Sequence, residues 1–135
     1  MPKILVVEDS FSMRSFVRTA LESGKAELGD TDVVDAAGGF EALRLLPRGP
    51  YDLVITDINM PDINGLELIQ FIRTNEHHRA TPILLISTQS SERDRARGLS
   101  LGADGYVTKP FTANELVRAA KKLIDKGRTA ARKDG

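Results

Sequence analysis

Residues 52–57 read Asp52-Leu53-Val54-Ile55-Thr56-Asp57, an apolar run closed at each end by a carboxylate. It is too short for a helix, and it does not alternate polar with apolar residues. That pattern describes a strand buried on both faces. The same reading extends outward to Lys3-Ile4-Leu5-Val6-Val7, to Thr31–Ala37, to Pro82–Ile86 and to Asp104–Thr108. Segments of helical period lie between these strands. Phe11–Ser23 places Phe11, Phe16, Val17, Ala20 and Leu21 at helical spacing, and Gly24 follows as a stop. Gly38-Gly39 turns the second strand into a helix that reaches about Leu46, and Pro47 with Gly49-Pro50 ends it. Asn64 caps a helix from Gly65, with Leu66, Ile69, Phe71 and Ile72 inward. Ser91 opens a fourth helix that ends near Gly102. Thr112-Ala113-Asn114-Glu115 has capping-box spacing and opens a fifth, apolar at Leu116, Ala119, Ala120, Leu123 and Ile124. Gly127 reads as its stop. Five strands alternating with five helices predict an α/β fold, a doubly wound parallel sheet covered on both faces.

Size and composition agree with one such domain. The chain has 135 residues, 41% of them hydrophobic and 28% charged, with 19 basic and 19 acidic side chains. A neutral total argues against a nucleic-acid footprint, and the hydrophobic fraction argues against disorder. The absence of cysteine excludes a disulfide framework, thiolate zinc sites and a Cys nucleophile. The longest strictly apolar runs span four residues, against about 20 for a membrane helix. With no charged-then-apolar leader after Met1, a cytoplasmic protein is expected. The neutrality is uneven: residues 118–135 carry +5 and the first 117 carry −5.

Ligands of open parallel sheets bind outside the carboxyl ends of the strands. Here those ends lead into Glu8-Asp9, Gly38-Gly39, Asp57, Ser87 and Lys109-Pro110. Three carboxylates at one edge repel unless a cation offsets them, and an all-oxygen set with room for water suits magnesium. Carboxylates, a hard ion, a hydroxyl and a lysine suit phosphoryl transfer. With no Gly-rich phosphate loop, the acceptor left is a protein carboxylate that forms an acyl phosphate.

The ordered set Glu8-Asp9, Asp57-Ile58-Asn59-Met60-Pro61 with Gly65, Ser87, Gly102-Ala103-Asp104-Gly105-Tyr106 and Lys109-Pro110-Phe111 resembles the response-regulator receiver family of two-component signalling. Asp9-Ser10-Phe11-Ser12-Met13-Arg14 and Lys109-Pro110-Phe111-Thr112 look most like chemotaxis-type, single-domain receivers. The resemblance covers about Lys3 to Lys126. It implies strand order 2-1-3-4-5, a receiver domain over residues 1–127 and a flexible basic tail over 128–135. It implies Asp57 as phospho-acceptor. Magnesium, with manganese as a substitute, would be held by Asp9, Asp57 and the Asn59 carbonyl, and by Glu8 through a water. Ser87 and Lys109 would contact the phosphoryl group, with a cis Lys109–Pro110 bond aiming the lysine. Ser87 and Tyr106 would form the switch. Asn59 and Gln89 would tune the phosphate's lifetime.

The implied function is phosphoryl acceptance from a sensor histidine kinase, with possible removal by a phosphatase. Output would be changed partner binding at the fourth helix, fifth strand and fifth helix, by a monomer that is not an enzyme. A flagellar motor switch is the leading partner. Motor-binding relatives tend to be differently charged or more apolar on the fourth helix, here Ser91, Glu92 and Arg95. A phosphorelay shuttle, a phosphate sink or a polarity or development regulator therefore stay open. A haloacid-dehalogenase-type phosphohydrolase is the enzyme alternative, but that class wants an acid where Asn59 stands. Other features have plainer readings. Tyr106 packs or switches, His77-His78 is a solvated helix end, and Glu92–Arg97 is an exposed charged face.

Overall fold

The computed structural model describes residues 1–88 and 92–134, of which 129–134 are described as helical backbone alone. The strands are β1 (Lys3–Val7), β2 (Asp32–Ala36), β3 (Leu53–Asp57), β4 (Ile83–Thr88) and β5 (Gly105–Lys109). They form one parallel sheet in the order β2-β1-β3-β4-β5. The helices are α1 (Phe11–Ser23), α2 (Lys25–Leu28), α3 (Gly39–Leu45), α4 (Gly65–Thr74), α5 (Glu92–Leu101) and α6 (Ala113–Asp134). The five-stranded, doubly wound order is the one the sequence implied. The helix count is six rather than five, because a four-residue helix, α2, follows Gly24 directly. The expected fourth and fifth helices are thus α5 and α6. The fourth helix's expected start at Ser91, and Gln89, lie outside the described residues.

Side chains along a strand alternate between faces, so an apolar run feeds two cores. Ile4 and Val6 join Leu53 and Ile55 beneath α1 and α6. Leu5 and Val7 join Val54 and Leu85 beneath α3 and α4. Helix α4 is closed by a complete capping box between Asn64 and Glu67, with Asn64 Oδ1 accepting from Glu67 N at 2.9 Å. Its buried side is Leu68, Ile69 and Ile72, while Phe71, read as inward, is exposed. Phe11 and Phe16 are likewise exposed on α1. Apolar residues flanking a helical stripe satisfy the same period without reaching the sheet.

The fifth helix does not stop at Gly127 as expected but runs to Asp134, so the expected boundary after residue 127 falls inside α6. Gly127 does not adopt the left-handed conformation of a helix stop. It lies against Pro82, where a Cβ would come within 3.1 Å of Pro82 Cγ. The glycine therefore serves close packing, not termination. His78 also departs from expectation. It is buried at 7% exposure, with Nδ1 lacking a hydrogen-bond partner, and burial holds its imidazole below the usual pKa.

Arg73 ties the sheet's other end together. Its guanidinium donates to Gly102 O, Arg79 O, Thr81 O and Asp104 Oδ2 at 2.7–3.0 Å. The same Asp104 oxygen accepts from Ile83 N at 2.8 Å. One fork thus joins the end of α4 to the starts of β4 and β5. Arg73→Ala orphans these acceptors and is expected to cost about 2–4 kcal/mol in urea unfolding. Arg73→Lys, a point charge without the fork, is expected to recover less than half of that loss.

Candidate functional site

The sheet register places the chemistry. Val7 pairs with Thr56, Asp57 with Ile86, Ser87 with Thr108, and Thr88 with Lys109. The strand ends step outward from β1, level with Thr56, to the Thr88–Lys109 pair of β4 and β5, and the polar residues at and just past them share one edge. Asp57 and Ser87 are the last and the next-to-last residues of β3 and β4, which end one and two residues later than the sequence reading, Thr56 and Ile86, placed them.

Glu8, Asp9 and Asp57 each present a carboxylate oxygen, and these atoms lie within 4.8 Å of one another. Glu8 and Asp57 are buried, and Asp9 is exposed. Lys109 Nζ sits 3.4 Å from Asp57 Oδ2 and 4.0 Å from Glu8 Oε1. The Lys109–Pro110 peptide is cis. Ser87 is buried and its Oγ donates to Val107 O at 3.4 Å. Asn59 N donates to Asp57 Oδ1 at 3.4 Å. Tyr106 stands apart from this group, its ring 47% exposed.

One ammonium does not balance three carboxylates. Burial pushes the Glu8 carboxyl up to about 8, with the hydrogen bond and charge of Asp57 adding to the rise. Lys109 and the Ser10 N–H pull against this shift. When protonated, Glu8 can donate to Asp57; when ionised, its buried Oε2 has no hydrogen-bond partner. An orphaned oxygen in an all-oxygen cluster open at Asp9 fits a hard divalent cation with water among its ligands.

Several supports were not legible as site residues. Asp62 accepts from Gly39 N at 3.1 Å and Phe40 N at 3.0 Å. These bonds, the one from Phe40 foremost, hold its carboxyl below the usual range. Asp62 thereby caps α3 from the loop that follows Asp57, where Gly38 offers no side chain of its own. Arg14 donates to Glu8 O at 2.8 Å. A Cβ on Gly65 would stand 2.2 Å from Asp57 O, so only glycine lets α4 begin against the end of β3. The Gly38-Gly39 pair was the sole signal for Asp62's partner loop, and it carries no address.

Residues 4–121 match the response regulator receiver domain, and the chain belongs to that family, a signalling family. It is 34% identical over 124 residues to chemotaxis protein CheY-3 of Vibrio cholerae, covering 92% of each chain. It is 32% identical to chemotaxis response regulator CheY4 of Vibrio cholerae, with a TM-score of 0.81 over 91% of this chain and 98% of that one. It is 29% identical to the receiver domain of the Pseudomonas aeruginosa PAO1 sensor histidine kinase PA1611. That match has a TM-score of 0.81 over 92% and 98% of the two chains, and that structure has a magnesium ion coordinated in its active site cleft. Among the described residues, no helix is long and apolar enough to cross a membrane.

The Glu8 shift sets a pH dependence. Its pKa is 4.5 in the reference state and about 8 in the fold. Between these values the native state holds the extra proton, so stability falls as pH rises through this window. In metal-free buffer, urea unfolding is expected to give lower stability at pH 8 than at pH 5. Glu8→Gln should flatten that difference. Added magnesium should raise stability more at pH 8 than at pH 5.

Proposed function

We propose that this chain is a phospho-accepting response regulator of a chemotaxis-type two-component system, taking its phosphoryl group from a histidine kinase onto Asp57. One observation carries the reading: a buried aspartate at the end of the central strand, 3.4 Å from a lysine ammonium and grouped with two further carboxylates. An Asp57 carboxylate oxygen attacks phosphorus as the N–P bond of the donor's phosphohistidine breaks. The bonding pair returns to the imidazole, which takes a proton from solvent. Lys109, already paired with Asp57, is placed to neutralise a phosphoryl oxygen. The Ser87 hydroxyl turns from Val107 O to another. Asp9, Asp57 and the Asn59 carbonyl would hold magnesium, with Glu8 acting through water, and the ion would offset negative charge on the phosphoryl oxygens. Asn59 carries no carboxylate to serve as the acid–base partner of a phosphohydrolase, which favours signalling over turnover. The chemotaxis proteins among its relatives support a chemotaxis pathway, and the output face implied by the receiver resemblance is α5, β5 and α6.

With acetyl phosphate and magnesium, the parent protein is expected to gain an acid-stable, hydroxylamine-labile phosphoryl group, detected by mass spectrometry. Asp57→Asn should gain none. Lys109→Ala should be slowed by roughly tenfold or more, the worth of a lost charge-assisted hydrogen bond. Labelling of Asp57→Asn at the parental rate would overturn the assignment.

A further inference from the structure

We propose that Arg95 is a positioning residue, a clamp that ties the phosphoryl-facing end of β4 to the exposed ring of Tyr106 and opposes movement of either. Arg95 lies on α5, in a helix whose only residue recorded as buried is Gly98. Arg93, Ala96 and Arg97 are exposed, while Arg95, like Asp94 beside it, is half-buried. The reason is two simultaneous contacts. Arg95 Nη1 donates to Thr88 O at 2.7 Å. The guanidinium carbon also stands 5.4 Å from the centroid of the Tyr106 ring, over its face.

These contacts close a circuit between two strands. Ser87 Oγ donates to Val107 O, in β5, and Val107 follows Tyr106 directly. Tyr106 stacks with Arg95, and Arg95 holds the carbonyl of Thr88, the residue after Ser87. Beyond the strand pairing of Ser87 with Thr108 and Thr88 with Lys109, side chains thus fasten this strand end to β5 through the backbone of Val107 and through the Tyr106 ring. If the Ser87 hydroxyl leaves Val107 O for a phosphoryl oxygen, the guanidinium still ties the strand end to the Tyr106 ring. It is also the side chain that keeps an aromatic ring standing at the surface. A planar, always-charged fork can donate to a carbonyl while lying flat on a ring, a geometry that the point charge of an ammonium reproduces only in part. The clamp sets how readily the site and the surface change together, and this coupling rests on the phospho-acceptor reading above. The clamp itself does not.

The test uses the full chain labelled with 3-fluorotyrosine, which gives two fluorine resonances because the chain has two tyrosines. Tyr51→Phe assigns them, and buried Tyr51 reports the integrity of the fold. In the absence of metal and phosphate, Arg95→Ala is expected to shift or broaden the Tyr106 resonance and leave that of Tyr51 in place. Arg95→Lys should restore the parental signal only in part. An unchanged Tyr106 resonance in Arg95→Ala would overturn the clamp. If that variant also moves Tyr51, Arg95→Gln, which removes the charge over the ring, decides alone: a Tyr106 shift supports the clamp and an unmoved resonance overturns it. With magnesium and beryllofluoride, Arg95→Ala should bind several-fold to about tenfold more tightly than the parent, the worth of one cation–π contact and one charged hydrogen bond. Equal affinity would overturn the coupling. Failure of the parent to bind beryllofluoride would overturn the phospho-acceptor reading, and the fluorine signal would still judge the clamp.

Discussion

Charge repulsion at the carboxyl edge of the sheet is the constraint around which the rest is arranged. Glu8, Asp9 and Asp57 meet within 4.8 Å, and burial with the hydrogen bond and charge of Asp57 raises the pKa of Glu8. A fold optimised for stability alone would not gather them. Around the cluster the chain spends its most specific contacts: Lys109 against Asp57 and Glu8, Arg14 on the carbonyl of Glu8, and the Asn59 amide on Asp57. The strain is local and electrostatic, and a divalent cation or an incoming phosphoryl group changes its balance directly. A site poised in this way can respond strongly to a small chemical event.

The remainder of the molecule holds that edge steady. Apolar strands feed two cores, so β1 and β3 cannot shift register without turning a buried face outward. Arg73 locks the opposite end of the sheet through backbone carbonyls, and Asp62 fastens the loop after Asp57 to α3. Against this rigid frame, the end of β4 and the α5 surface are held by fewer and more polar ties. Helix α5 contributes only Gly98 as a buried residue. On the function proposed above, change at the site would be directed toward α5 and β5, where partners could sense it, and not into the core.

Much of the architecture was legible because short, wholly apolar runs bounded by turn residues permit few alternatives. The parallel sheet, its two-sided burial and the polar residues at its strand ends follow from Lys3–Val7, Asp52–Asp57 and their counterparts. Helix boundaries were less legible where one residue type has two uses. Gly127 reads as a stop but packs on Pro82, and the helix continues to Asp134. Phe71 fits the helical period but faces water, and His78 looks solvated but is buried. Periodicity reports spacing along one element, while burial depends on what a second element places opposite.

By itself the sequence determined the class of fold, the edge at which chemistry gathers and the residue types available there. Each follows from local pattern, since strand, turn and strand-end residue are neighbours in the chain. Only the tertiary structure decided which of those groups touch. The approach of Lys109 to Asp57 spans 52 residues, the capping of α3 by Asp62 more than 20, and the stacking of Arg95 on Tyr106 joins a helix to a separate strand. Those pairings depend on strand register and helix docking, which are properties of the packed core as a whole.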